Sequence, residues 1–399
     1  MSATPHRTRE LHLLLILSAL MAFTSLSTDI YLPAMPQMER ELHGDVELTL
    51  TSFLVGFALA QLFWGPISDR IGRHRPVVIG MLLFVIGSAG CAFSDTMGEI
   101  VFWRMFQAFG ACTGPMLARA MVRDLYPRTQ AARTLSTLMV IMAIAPIAGP
   151  LMGGQIVRFG SWHGIFWLLA AMGVAMLLAL RKLPETLPAE RRAVTPISQA
   201  FGDYRRLLGN TPFMRYVLCV TMYYVSVYAF IAGSPAVYIE HFNVDPQHYG
   251  WLFGVNILGV TGVSLVNRKL VSRNSLDTLL RAATLVAAIA ITLCAVFSEL
   301  KWIELLGIMV MIFIFFSMNG IIAAASTAAA LDRVQPHLAG SAAALIGSLQ
   351  YGCGIISSLL LAWLSDSTPR SLLVVMAFFA RASAAIAFWQ HAQAQREQA

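Results

Sequence analysis

The chain has 399 residues, of which 57% are hydrophobic and only 12% charged, and its mean hydropathy is +0.67. This composition excludes an ordinary soluble domain and places the chain in a lipid bilayer. The net charge of +7 sits mostly in short loops, so it reports membrane topology rather than affinity for nucleic acid.

A spanning helix needs roughly 20 mostly apolar residues, and such runs recur along almost the whole chain. Twelve spans are predicted, at 11–37, 47–68, 76–94, 98–122, 133–158, 162–181, 213–238, 248–267, 276–297, 302–330, 338–364 and 371–391. The first follows Arg7 and Arg9 as a signal peptide would, but it is too long for one and resumes past "SLS" as "IYLPAMP". Basic residues then collect on alternate loops. One side holds Arg7, Arg9, Arg70, Arg73, Arg75, Arg123, Arg128, Arg133, Arg181, Lys182, Arg191, Arg192, Arg205, Arg206, Arg268, Lys269, Arg273 and Arg333. The other holds only Arg40, Arg158, Lys301 and Arg370, so both termini are expected in the cytoplasm.

The spans divide into six within 1–182 and six within 213–399, joined by a charged, proline-bearing linker at 183–212. Within the linker "ISQAFGDYRRLL" has helical apolar spacing and a basic face, the pattern of a helix lying on the inner membrane surface. A shift of 198 residues sets "FLVGFALAQLFWGPISDR" (53–70) over "WLFGVNILGVTGVSLVNR" (251–268), matching Gly56 to Gly254 and Arg70 to Arg268. With equal span counts, this points to two related halves. The five cysteines, Cys91, Cys112, Cys219, Cys294 and Cys353, form no CxxC pair and read as small apolar packers. There is no phosphate-binding GxxxxGK[ST], zinc-binding HExxH or nucleophilic GxSxG, and neither an enzyme nor a cofactor is expected.

Four features carry the chemistry. The first is Asp29 in "TSLSTDIYLPAMP" (24–36). A carboxylate at depth costs about 2.5–3.5 kcal/mol on insertion scales, so it persists only with a partner, a water cavity or a task. Asp29 is the candidate proton site and a contact for cationic substrates, with Arg104 of the fourth span as its expected counter-charge. The alternative for Arg104 is that it bonds backbone carbonyls and locks its helix. Second, the loop "GPISDRIGRHRP" (65–76) has Gly65 and Gly72 for close backbone approach and opposite charges in Asp69, Arg70, Arg73 and Arg75. It reads as an inner gate in which Asp69 pairs with Arg73, while Asp124 joins Arg123 and Arg128.

Third, in "APIAGPLMGG" (145–154), Pro146 and Pro150 remove backbone donors and Gly149, Gly153 and Gly154 remove bulk. This bends the helix and lets another pack closely. Fourth, a substrate path needs apolar bulk with a few polar groups. Its candidates are Tyr31, Phe57, Gln61, Gln107, Met116, Tyr223, Tyr224, Tyr228, Asn256, Asn319, Gln350 and Tyr351.

The order G-x-x-x-D-R-x-G-R in 65–73 resembles the signature loop of the major facilitator superfamily. "RMFQAFGA" (104–111) resembles its fourth-helix motif, and "APIAGPLMGG" the fifth-helix motif of its proton antiporters. "STDIYLPAMP", "SWHGIFWLLA" (161–170) and "LPETLPAERR" (183–192) are similar to the bicyclomycin and chloramphenicol resistance family of drug–proton antiporters. The resemblance implies an all-α integral membrane protein of twelve helices in two pseudo-symmetric six-helix bundles around a central cavity. It implies a monomer in a bacterial inner membrane that exports small amphiphilic compounds in exchange for protons, driven by the proton gradient without a cofactor. A proton symporter importing a nutrient such as a nucleoside, sugar or metabolite is the alternative on the same fold.

Overall fold

The computed structural model describes residues 4–192, 197–335, 338–364 and 368–398. The side chains of 4–11, 128–129, 131–133, 135–137, 139–142, 197 and 390–398 fall outside that description, and with them Arg7, Arg9, Arg128 and Arg133 of the basic pattern. The described residues form helices and no strand.

The first half comprises α1 (Thr4–Asp29), α2 (Met35–Leu42), α3 (Glu47–Ile71), α4 (His74–Ala92), α5 (Met97–Leu125), α6 (Arg128–Phe159) and α7 (His163–Leu180). The linker forms α8 (Ile197–Leu208). The second half comprises α9 (Thr211–Pro235), α10 (Pro246–Leu270), α11 (Leu276–Glu299), α12 (Leu305–Ser317), α13 (Asn319–Leu331), α14 (Ala339–Gly352), α15 (Gly354–Leu364) and α16 (Pro369–Gln398). Contacts group the residues into two compact units, 1–199 and 200–399.

Ten described segments are long and apolar enough to cross a membrane. The other two expected spans are α5, 29 residues diluted by Glu99, Arg104, Arg119, Arg123 and Asp124, and α6, 32 residues. At 1.5 Å per residue both are longer than the roughly 30 Å hydrocarbon layer.

The first predicted span is not one helix. It stops at Asp29, makes a short 3₁₀ turn over Leu32–Ala34, and restarts as α2. Pro33 and Pro36 sit at the starts of the new segments, where a missing N–H costs nothing, but within a continuous helix each would remove a bond. The span at 302–330 likewise breaks between α12 and α13, and that at 338–364 breaks at Cys353 between two glycines.

Each unit buries large side chains internally and turns others outward. Phe53, Phe84 and Phe166 are enclosed in the first, Phe213, Phe230 and Phe315 in the second, while Phe63, Phe102, Leu306 and Trp363 are exposed. Outward bulk on membrane-spanning helices meets lipid, so its exposure is no defect. On α8 Tyr204 and Leu207 are buried, while Phe201 and Leu208 are exposed together with Arg205 and Arg206.

Candidate functional site

In the first unit α1 is packed between α5 and α6. Its last residue, Asp29, is 5% exposed, and one carboxyl oxygen lies 2.9 Å from the Thr28 hydroxyl. That hydroxyl is also 3.1 Å from the Thr24 and Ser25 carbonyls. It has one proton to donate, so it serves either an ionised Asp29 or its own helix.

The glycines of α6 form the wall beside Asp29. A β-carbon at Gly149 would stand 3.3 Å from the Ile30 nitrogen and 3.6 Å from the Asp29 β-carbon, and one at Gly153 would overlap the Ile30 carbonyl. The close packing expected of "APIAGPLMGG" is therefore directed at the backbone that carries Asp29. Gly154 and Pro150 are buried as well, Pro146 is half-buried, and α6 continues through both prolines.

Arg104 does not pair with Asp29. No ion pair among the described residues includes either group. Fully buried, Arg104 donates through Nη1 to the Ser27 carbonyl at 2.9 Å and to Gln107 Oε1 at 2.5 Å, and through Nε to the Thr49 carbonyl at 3.4 Å. Its guanidinium lies 4.3 Å from the centre of the Tyr31 ring and 4.5 Å from that of Phe53. The Ser27 carbonyl belongs to the last turn of α1, the negative end of that helix, and with two aromatic faces it supplies the compensation a carboxylate would. Nη2 has no partner among the described residues.

This cluster reassigns three cavity candidates. Tyr31 accepts a bond from Thr49 at 3.2 Å beneath Arg104, Gln107 donates to Ser88 at 2.8 Å, and Phe57 is buried on α3 against Phe53. They are packed into their own unit because their polar atoms and rings are already committed there. Gln61 is buried, its Oε1 without a partner among the described residues, and Met116 is half-buried.

The 65–76 loop forms a second cluster. Arg73 Nη1 bonds Asp69 at 2.5 Å and Ser68 at 2.8 Å, and its Nε bonds Asp124 at 3.0 Å. Burial pulls the Arg73 guanidinium down, but Asp69 and Asp124 outweigh it and hold the group above its ordinary range. Asp124 thus joins Arg73 rather than Arg123, which is exposed; the Arg128 side chain is outside the description. Gly65 makes no close approach, since a β-carbon there would meet nothing within 4 Å. Gly72 has φ 95°, in the left-handed region, and a β-carbon there would overlap the carboxyl of Glu185. Arg70 is half-buried.

Sequence reasoning missed Glu185 and Thr186. Thr186 donates to Asp124 at 3.3 Å, and Glu185 gathers backbone donors from the loop. The segment "LPETLPAERR" stood out by its charge, its prolines and its family resemblance, none of which says where it docks.

In the second unit Tyr224, Tyr228 and Tyr351 form a run of rings with neighbouring centroids 6.1 Å apart. Asn319 Oδ1 is buried without a partner among the described residues. The Tyr223 ring also stands 6.1 Å from that of Tyr224, edge to face, but its hydroxyl is committed inside the unit, donating to the Phe315 carbonyl at 3.0 Å. Asn256 bonds its own helix at 3.4 Å, and Gln350 is half-buried.

Residues 17–358 match the family model described as Major Facilitator Superfamily. The chain is 35% identical over 361 residues to an uncharacterised MFS-type transporter, YdgK, of Bacillus subtilis, covering 89% of each. It is 28% identical over 370 residues to a bicyclomycin resistance protein homolog of Haemophilus influenzae, covering 91% of this chain and 92% of that one. Among solved structures, a D-xylose-proton symporter superposes with a TM-score of 0.75 at 14% identity, over 94% of this chain and 97% of that one.

Proposed function

Because this chain belongs to the Major Facilitator Superfamily of membrane transporters, we propose that it exports small amphiphilic compounds from the cytoplasm in exchange for protons. The observation that carries the reading is Asp29, a buried carboxyl without a cationic partner among the described residues, seated on the glycine face of α6. Bacterial relatives that include a bicyclomycin resistance protein homolog support the substrate class. The run of Tyr224, Tyr228 and Tyr351 with the spare Asn319 acceptor supports a site for flat, apolar molecules bearing a cation or a donor group.

In this scheme ionised Asp29 accepts the Thr28 hydroxyl and attracts a cationic substrate on the inner side. A proton arriving from outside neutralises the carboxyl, the Thr28 proton returns to a helical carbonyl, and substrate leaves outward. Loss of the proton inside restores the starting state, so transport proceeds by alternating access. The proton gradient supplies the energy without a cofactor, and the protein acts as a monomer. The basic pattern of the loops and the bacterial relatives support an inner-membrane location with both termini cytoplasmic.

The test is purified protein in vesicles containing a pH-sensitive dye, with an imposed proton gradient and a panel of lipophilic cations, chloramphenicol-like drugs and nucleosides. Drug-driven proton release, absent in Asp29→Asn, is the expected result. Gradient-dependent export retained by Asp29→Asn would remove the proton-site assignment, and proton entry alongside a nucleoside would replace export with import.

A further inference from the structure

The start of α4 poses a physical problem that its own sequence does not solve. The first N–H groups of any helix lack partners within it, and Arg73, at the cap position, offers no capping side chain. Two donors at this end are met by a residue distant in sequence, 112 positions from Arg73. Glu185 accepts from the Arg73 amide at 2.8 Å and the His74 amide at 3.3 Å, and from its own neighbours Thr186 and Leu187, each at 3.0 Å.

We infer that residues 183–192 form a strap that locks the signature loop, with Glu185 as the positioning residue that caps α4 and so fixes where the Arg73 side chain can reach. Three further contacts bear on the same strap. Leu183, Thr186 and Leu187 are buried and anchor it. Thr186 bonds Asp124, the carboxylate that also holds Arg73, so strap and loop share one charge network. Arg192 closes the far side, 3.9 Å from Glu185. Gly72 now has two reasons to be glycine, its positive φ and the space the Glu185 carboxyl occupies.

The strap is also the chain that leads on to α8 and the second unit. Docked, it holds the beginning of that connection against α4; released, it frees both the connection and the Arg73 backbone. Docking therefore sets how readily the loop's ion pairs break, which is the event an inner gate requires. Burial pushes the Glu185 carboxyl up, but its backbone donors outweigh this and hold it below the usual glutamate range. A carboxyl with a lower pKa when docked favours docking above the free-glutamate range and loses that preference as pH falls through its docked value. Docking is accordingly favoured at neutral pH and weakened in acid.

The inference does not rest on Asp29, and its first measurement involves no substrate. Hydrogen exchange would be followed on the full-length protein, with peptides covering 72–76 and, as an internal control, 276–299. In Glu185→Ala exchange at 72–76 is expected to rise about tenfold or more, the scale of a lost charge-assisted hydrogen bond, with 276–299 unchanged. Glu185→Gln, which keeps one acceptor oxygen, should rise less and serves alone if the alanine variant does not insert. After correction for intrinsic rates, wild-type exchange at 72–76 should increase on acidification below the glutamate range, and Glu185→Ala should not respond.

Transport supplies the second readout. Because the strap touches no proposed substrate contact, Glu185→Ala should change turnover and leave KM for the transported drug in place. Unchanged exchange in both variants would overturn the cap. Raised exchange with wild-type turnover would overturn its role in gating.

Discussion

Gly153 of α6 lies over the Ile30 carbonyl so closely that a β-carbon would overlap it, and four residues earlier Gly149 stands beside Asp29 itself. This gives the glycine-rich motif a definite task, which is to let α6 seat the end of α1. Gly153→Ala is expected to force the helices apart and cost about 1–3 kcal/mol, read as a lowered Tm in detergent, with proton-coupled export reduced in proportion. Gly149→Ala, with a 3.3 Å nearest contact, should cost less, and Gly262→Ala, which meets nothing within 4 Å, should cost nothing measurable.

Arg104 and Asp29 can be tested for independence. If the guanidinium is held by carbonyls and rings, Arg104→Leu strands no carboxylate and should cost roughly 1–3 kcal/mol for the unsatisfied Ser27 and Gln107 acceptors. Combined with Asp29→Asn, the two stability losses should then add to within about 0.5 kcal/mol. Rescue of one by the other in thermal melts would reveal an ion pair after all.

The two acids around Arg73 should not be equal. The Asp69 side chain is 53% exposed and that of Asp124 only 17%. An exposed pair contributes about 0–1 kcal/mol, whereas a shielded partner of both Arg73 and Thr186 contributes more. Asp124→Asn is therefore expected to lower Tm more than Asp69→Asn, and high salt should narrow the effect of Asp69→Asn but hardly touch that of Asp124→Asn.

The tyrosine run should discriminate among drugs. Tyr224→Ala is expected to weaken binding of lipophilic cations about 2- to 30-fold, the range of a cation–π contact, with Tyr224→Phe close to wild type. Tyr223→Ala, which removes a bond to the Phe315 carbonyl inside the unit, should act on Tm rather than on drug affinity. Binding titrations alongside thermal melts separate the two.

Much of the architecture was legible because it depends on local composition. Hydropathy set the spans, and proline placement explains after the fact why the first ends at Asp29. The Arg73–Asp69 pair was legible because it lies four residues apart across one helix end. Arg104 was not, since an arginine and an aspartate on neighbouring helices look like an ion pair until the carbonyls and rings around each are known. Gly65 and Gly72 look alike in the sequence, yet only Gly72 has a positive φ and a neighbour that would collide with a side chain.

By itself the sequence determined that the chain lies in a membrane, how its hydrophobic runs divide it into spans, and which residues carry charge where charge is costly. These follow from the transfer of residues between water and lipid, a property each segment holds alone. Tertiary structure decided the partners: Ser27 for Arg104, Ile30 for Gly153, and Glu185 for the open end of α4. Hydrogen bonds and close contacts act over a few ångströms, and which groups come that near, 112 residues apart in the case of Glu185 and Arg73, is fixed only when the helices pack.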